Sequence, residues 1–149
     1  MKHLALAAML GLAAIAPVQA QTVVQHLHIT SIPAEVELMN SIAADFMAQN
    51  PDIIVELPFL ENEAFKQKLT TLLQSDDAPD VFHTWGGGVF YEQAKAGFLR
   101  PIQDVLSDEA KEAVGSAGIA AYTAPDGNLY GVARDVAEVV FWYNKDLFE

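Results

Sequence analysis

The chain has 149 residues, 52% of them hydrophobic and 19% charged, a balance that suits a globular domain and excludes a fibrous or disordered chain. Eight basic residues against 20 acidic ones leave a net charge of −12. Such a surface repels phosphate backbones and anionic lipid heads, which argues against nucleic acid or membrane-surface partners. Cysteine is absent, so packing rather than disulfides must carry the fold.

Met1-Lys2-His3 is a short basic start, Leu4 to Ile15 is apolar, and Pro17-Val18-Gln19-Ala20 places small residues at a cleavage site. That order reads as a secretory signal peptide over residues 1–20, too short to span a bilayer, with the mature chain starting at Gln21. No lipid-attachable cysteine follows it, so the exported protein is expected to be freely soluble, with no membrane insertion after cleavage.

Thr22 to Ile29 is β-branched and apolar without a breaker and predicts a first strand. Pro33 suits the first position of a helix running to Gln49, whose buried face should carry Leu38, Met39, Ile42, Ala43, Phe46 and Met47. Asn50-Pro51 ends it. Ile53 to Phe59 predicts a second strand with Pro58 near its end. A second helix opens at Glu61-Asn62 with Asn62 as cap, and buries Phe65, Leu69, Leu72 and Leu73.

Ala78-Pro79-Asp80-Val81-Phe82-His83-Thr84-Trp85, followed by Gly86-Gly87-Gly88, reads as a third strand ending in a freely bending loop. A helix from about Val89 to Ala96 comes next, with Gly97 as its C-cap. This alternation predicts an α/β fold with right-handed crossovers and a parallel sheet flanked by helices. Beyond it, Ser107 opens an alanine-rich helix and Pro125-Asp126-Gly127-Asn128 is a turn. Leu129 to Val132 and Val136 to Tyr143 read as strands, and Asn144 caps a helix that Lys145 begins.

Ligands of open α/β sheets sit beyond the carboxyl ends of the strands. Trp85 is therefore expected in such a crevice, where an indole face packs against the C–H face of a sugar; the competing reading has it sealing the sheet edge as core. Parallel strands would bring Thr30, Ser31, Glu61 and Asn62 to one rim with Thr84, Trp85 and Gly86, unless Ser31 and Asn62 act only as helix caps. Arg134 and Asp135 are either a hinge-side ligand contact or an exposed strand end.

The triple glycine lacks the lysine of a P-loop and the spacing of a dinucleotide fingerprint, so it holds no phosphate cofactor. His26 and His28 share one strand face and His83 lies on another strand. With no cysteine and no carboxylate forced beside them, a surface or edge pair is preferred to a metal site. No serine sits in a nucleophile elbow. Paired carboxylate catalysis would require Glu61 and Asp135 close together, which nothing in the spacing imposes.

Five fragments in order carry a family pattern: the first strand–helix–strand unit through Asn50-Pro51, then Ala78-Pro79-Asp80-Val81, then Ala96-Gly97-Phe98-Leu99. Asp126-Gly127-Asn128-Leu129-Tyr130-Gly131-Val132 and Tyr143-Asn144-Lys145-Asp146-Leu147-Phe148 complete it. The chain from Gln21 onward resembles bacterial extracellular solute-binding proteins of the sugar-binding type, the maltose-binding relatives. It departs from them at Ala133, where the family often has proline.

The resemblance implies a monomeric periplasmic receptor, not an enzyme and without cofactor or metal. Such a receptor closes two lobes around a sugar or oligosaccharide and delivers it to an inner-membrane ABC permease. It also implies an aromatic near the ligand at Trp85. Residues 21–132 would form the N-terminal lobe. Residues 133–149 would form the hinge strand and the start of a second lobe, as expected of a fragment or a truncated lobe. Two rival readings are a secreted carbohydrate-active enzyme using Glu61 and Asp135, and a metal-capturing receptor using His26, His28 and His83.

Overall fold

The computed structural model describes residues 21–137 and 140–148; the expected signal peptide and its cleavage site at Ala20 lie outside them. The described residues form two compact units. One contains the residues up to Phe65 together with Pro79–Val81, and the other contains Lys66–Ala78 together with the residues from Phe82 on.

In the first unit, β1 (Thr22–Leu27) pairs in parallel with β2 (Ile53–Glu56) in the register Thr22↔Ile53 to Gln25↔Glu56. α1 (Pro33–Gln49) joins them, because a parallel pair cannot be closed by a tight turn. The three-stranded sheet has the order β2-β1-β3, and β3 (Val81–Phe82) enters the first unit through Val81. This is the α/β class expected.

Both expected strands are shorter as ladders than the apolar runs that predict them. The ladder stops at Leu27 and Glu56 and resumes as a single parallel bridge between His28 and Phe59. Pro58 cannot donate, but its carbonyl accepts from His28 N–H at 3.0 Å and Leu60 N–H returns to the His28 carbonyl at 3.0 Å. The proline is thus accommodated at the one point where only an acceptor is needed. Asp80 completes the strand's environment: its carboxylate accepts the backbone N–H of Gln25 at 2.9 Å.

α1 corrects the predicted buried face. Ala43 is buried and Val36, Met39 and Met47 are partly so, whereas Leu38, Ile42 and Phe46 are 60%, 60% and 44% exposed. The apolar stripe is wider than the surface that a small sheet offers it, so only one half of the stripe is covered. On that half the Met47 sulfur lies 3.3 Å from Val55 N–H, a soft acceptor for a donor on the edge strand β2.

α2 (Asn62–Leu72) begins in the first unit and continues into the second from Lys66. Of its predicted buried face, Phe65 and Leu69 are buried and Leu72 and Leu73 partly so. The expected cap is one residue off. Glu61, not Asn62, accepts from the N–H groups of Glu63 and Ala64 at 2.9 and 3.4 Å, while the Asn62 amide bonds to Glu63. A carboxylate there also meets the positive end of the helix dipole.

The second unit is organised on α3 (Gly88–Lys95) and α4 (Asp108–Ala121). α3 ends as predicted: Gly97 N–H bonds to Ala94 and Phe98 N–H to Gln93, with Gly97 at φ +78°, the paired closure that a left-handed glycine permits. α4 is capped by Ser107, whose hydroxyl accepts from Ala110 N–H at 3.1 Å, and it kinks at Gly115. Phe90 on α3 is fully buried, its ring 5.3, 5.4 and 6.3 Å from those of Tyr91, Tyr122 and Tyr130.

The strands expected over Leu129–Val132 and Val136–Tyr143 do not form among the described residues. Leu129 makes one antiparallel bridge to Thr123. Phe141 and Trp142 are 101% and 93% exposed; a β-prone run needs a neighbouring ladder, and the described residues supply none to it. Asn144 does cap the short 3₁₀ turn Lys145–Leu147 by accepting from Asp146 N–H at 2.9 Å.

Removing the buried ring at the centre of the second unit tests this packing. Phe90→Ala should destabilise by about 3–5 kcal/mol, read as a lowered midpoint in urea denaturation followed by near-ultraviolet tyrosine circular dichroism.

Candidate binding site

Parallel pairing sends the carboxyl ends of β1 and β2 to the same side, and a cavity of about 410 Å³ lies there. It is lined by His28, Thr30 and Ser31 after β1, by Leu57 and Phe59 after β2, and by Val36, Met39 and Asn40 on α1. The volume falls in the range of small-molecule sites. Hydroxyls, an amide and an aromatic ring together suit a polyol: the ring covers a C–H face while the polar groups address hydroxyls.

His28 is 7% exposed and Thr30 5%, which corrects the expectation of a surface or edge histidine pair. The His26 and His28 rings do share a side, 6.4 Å apart. His28 is buried because the chain folds back over the end of β1: Thr30 N–H donates to His28 Nδ1 at 3.2 Å, and the Phe59 ring lies 5.7 Å away. This bond fixes the turn that presents Thr30 and Ser31. Ser31 is exposed and does not cap α1, whose N-cap is Ile32 without a side-chain bond. Among the described residues no group of three or more histidines, aspartates and glutamates is placed to hold a metal ion.

Thr30, Ser31, Glu61 and Asn62 belong to the first unit, and Thr84, Trp85, Gly86, Arg134 and Asp135 to the second. Of the former, Thr30 and Ser31 line the cavity, and Glu61 spends a carboxylate oxygen on its helix.

In the second unit Trp85 is half-buried on the loop after β3. Its mount is stiff. The Thr84 hydroxyl donates to Gln93 Oε1 of α3 at 2.6 Å, and the Tyr122 hydroxyl donates to the Thr84 carbonyl at 3.1 Å. Gly86 sits so close to the end of α4 that an added Cβ would lie 3.4 Å from the Ala121 carbonyl oxygen. Gly87, at φ +75° and ψ −138°, turns the chain into α3 through a conformation that only glycine adopts cheaply.

His83 stands perpendicular to the indole, ring centres 5.0 Å apart, and the Lys66 ammonium lies over the indole 5.6 Å from its centre. Arg134 and Asp135 are exposed, 4.0 Å apart, and both act on His83. Burial, then the Arg134 charge, lowers the His83 pKa below its ordinary 6.5, while Asp135 opposes them. Burial, with the negative charge of Asp135 behind it, raises the Tyr122 pKa. Thr84 and Trp85 are thus held with His83, Lys66 and Tyr122 about them, and the charges of Arg134 and Asp135 reach His83. Neither Tyr122 nor Lys66 carries a local motif; only the tertiary fold brings them to the loop.

Comparison with known proteins agrees with this architecture. The family described as bacterial extracellular solute-binding protein matches residues 31–149. A maltotriose-binding protein of Pyrococcus abyssi is 27% identical over 118 residues, covering 77% of this chain and 24% of the relative. The sugar-binding protein MalE from Xanthomonas citri superposes with a TM-score of 0.59 at 31% identity, covering 74% of this chain and 28% of that one. A structure from work on xylan utilization by Caldanaerobius polysaccharolyticus superposes with a TM-score of 0.64 at 25% identity, covering 73% and 28%. The chain therefore spans about a quarter of the length of the relatives it matches. Their fold is periplasmic-binding-protein-like, α/β with a parallel sheet flanked by helices.

The lowered His83 pKa sets a sign. The unfolded chain binds that proton more readily, so this group costs no stability above pH 6.5 and increasingly costs it as pH falls below that value toward the lowered folded pKa. His83→Gln should flatten this part of the acid limb of a plot of urea midpoint against pH, leaving the curve above neutrality parallel to the parent.

Proposed function

The chain belongs to the bacterial extracellular solute-binding proteins, and from that premise we propose that it is the substrate-binding component of an ABC importer, with a sugar or oligosaccharide as ligand. The observation that carries the sugar reading is Trp85, a half-buried indole on the loop after β3 whose preceding residue, Thr84, is held by Gln93 and Tyr122. A pre-set aromatic platform loses little entropy on binding and offers its face to pyranose C–H groups. The cavity beside Thr30, Ser31, Asn40 and Phe59 supports the same ligand class on its own. The names of the relatives support it too: one binds maltotriose and another is a sugar-binding protein.

In this reading Thr84, Gly86, Arg134 and Asp135 surround the platform, and Glu61 and Asn62 edge the first unit. The protein works in the periplasm as a monomer, binds its sugar in a cleft between two lobes, residues 21–132 contributing to the N-terminal one, and hands it to an inner-membrane permease. It is a receptor rather than an enzyme. Family membership and the sugar-binding relatives support that side of the choice, and no helix among the described residues is long and apolar enough to cross a membrane.

Isothermal titration against a panel of neutral mono- and oligosaccharides, run beside a hydrolysis assay, tests the proposal. Saturable heat without turnover is expected; turnover would make the protein a hydrolase instead. Trp85→Ala should lower sugar affinity at least tenfold while the thermal unfolding midpoint moves little, whereas collapse of the fold would identify the indole as core.

A further inference from the structure

Lys66 carries an exposed side chain on α2, and its ammonium lies 5.6 Å from the centre of the Trp85 ring. That is within the distance at which a cation is held by the negative face of an indole. The chain has only eight lysines and arginines against 20 acidic residues, so a cation over this ring is not a product of general abundance. Two ligands cannot share one face. A pyranose stacking there needs the area that the ammonium covers.

We propose that Lys66 is a specificity-determining residue of the Trp85 platform: its ammonium occupies the indole face, and a neutral sugar must displace it in order to stack. The inference rests on the sugar-binding reading and deepens it. The His83 ring, 5.0 Å away and perpendicular, holds the indole from moving with the lysine. The Thr84 bonds to Gln93 and from Tyr122 hold its backbone. The moving part is therefore the flexible four-carbon lysine stem, whose ammonium regains water when it leaves. An exposed cation–ring contact is worth little, so the cover lowers affinity without closing the site. Weak, ill-fitting ligands fail to displace it, and ligands with a full apolar face succeed.

The test separates the cover from the sugar. In a Trp142→Phe background Trp85 is the single tryptophan of the full chain. Quenching of its fluorescence by neutral acrylamide needs no ligand. Lys66→Ala should raise the quenching constant, and Lys66→Arg, which keeps a cation over the ring, should not; an unchanged constant in Lys66→Ala overturns the inference whatever the protein binds. Titration with the same neutral sugars should then show binding about two- to fivefold tighter in Lys66→Ala, the size of one exposed cation–ring contact, and no tighter than the parent in Lys66→Arg. Weaker binding in Lys66→Ala would mean that the ammonium bonds to the ligand, and equal binding that the sugar does not use this face; either overturns the inference while leaving the sugar-binding reading intact. Raised quenching with no sugar bound by any variant would remove both the receptor reading and the role in specificity.

Discussion

The parallel pairing of β1 with β2 is the constraint on which the first unit depends. Once Thr22 lies beside Ile53 and Gln25 beside Glu56, the connection must cross over, and α1 is what crosses. Both strands then deliver their carboxyl ends to one side. The cavity exists because Thr30 and Ser31 leave β1 where Leu57 and Phe59 leave β2. Two details protect the ladder: Asp80 takes the Gln25 N–H, and the Met47 sulfur lies against the Val55 N–H. Without them a backbone donor on each strand would have to find water instead.

The second unit reaches a comparable end by different means. Its centre is Phe90, ringed by Tyr91, Tyr122 and Tyr130. Tyr122 serves twice, as a wall of that cluster and as the donor that holds the Thr84 carbonyl. Packing and presentation are thus joined in one side chain: the half-buried ring packed against Phe90 also carries the hydroxyl that bonds to the loop bearing Trp85. Arg134 and Asp135 act on the same place through charge, pulling the His83 pKa in opposite directions while burial sets its net shift.

Carbohydrate recognition asks for this division of labour. An indole supplies area without hydrogen bonds, and small polar groups supply direction. Both kinds are present, each held by backbone or by a neighbour rather than by a free side chain. The chain spans about a quarter of the length of the relatives it matches.

The alternation of elements is legible in the residues alone, because apolar periodicity, Pro33, Asn50-Pro51 and Gly97 act locally and need no distant partner. The sequence also placed Trp85 beside glycines after a strand, although β3 stops at Phe82 and leaves the indole on the loop. It could not decide how much of α1's apolar stripe would be covered, since Leu38, Ile42 and Phe46 look the same in periodicity as Ala43 and Met47; only the width of the sheet separates them. Nor could it decide that Glu61 rather than Asn62 caps α2, or that the run from Val136 to Tyr143 would find no ladder among the described residues. His28, Lys66 and Tyr122 acquire their roles from contacts 2 to 38 residues away along the chain. Propensity is a property of neighbours in sequence, whereas burial and hydrogen-bond partnership belong to neighbours in space, and the tertiary structure alone assigns those.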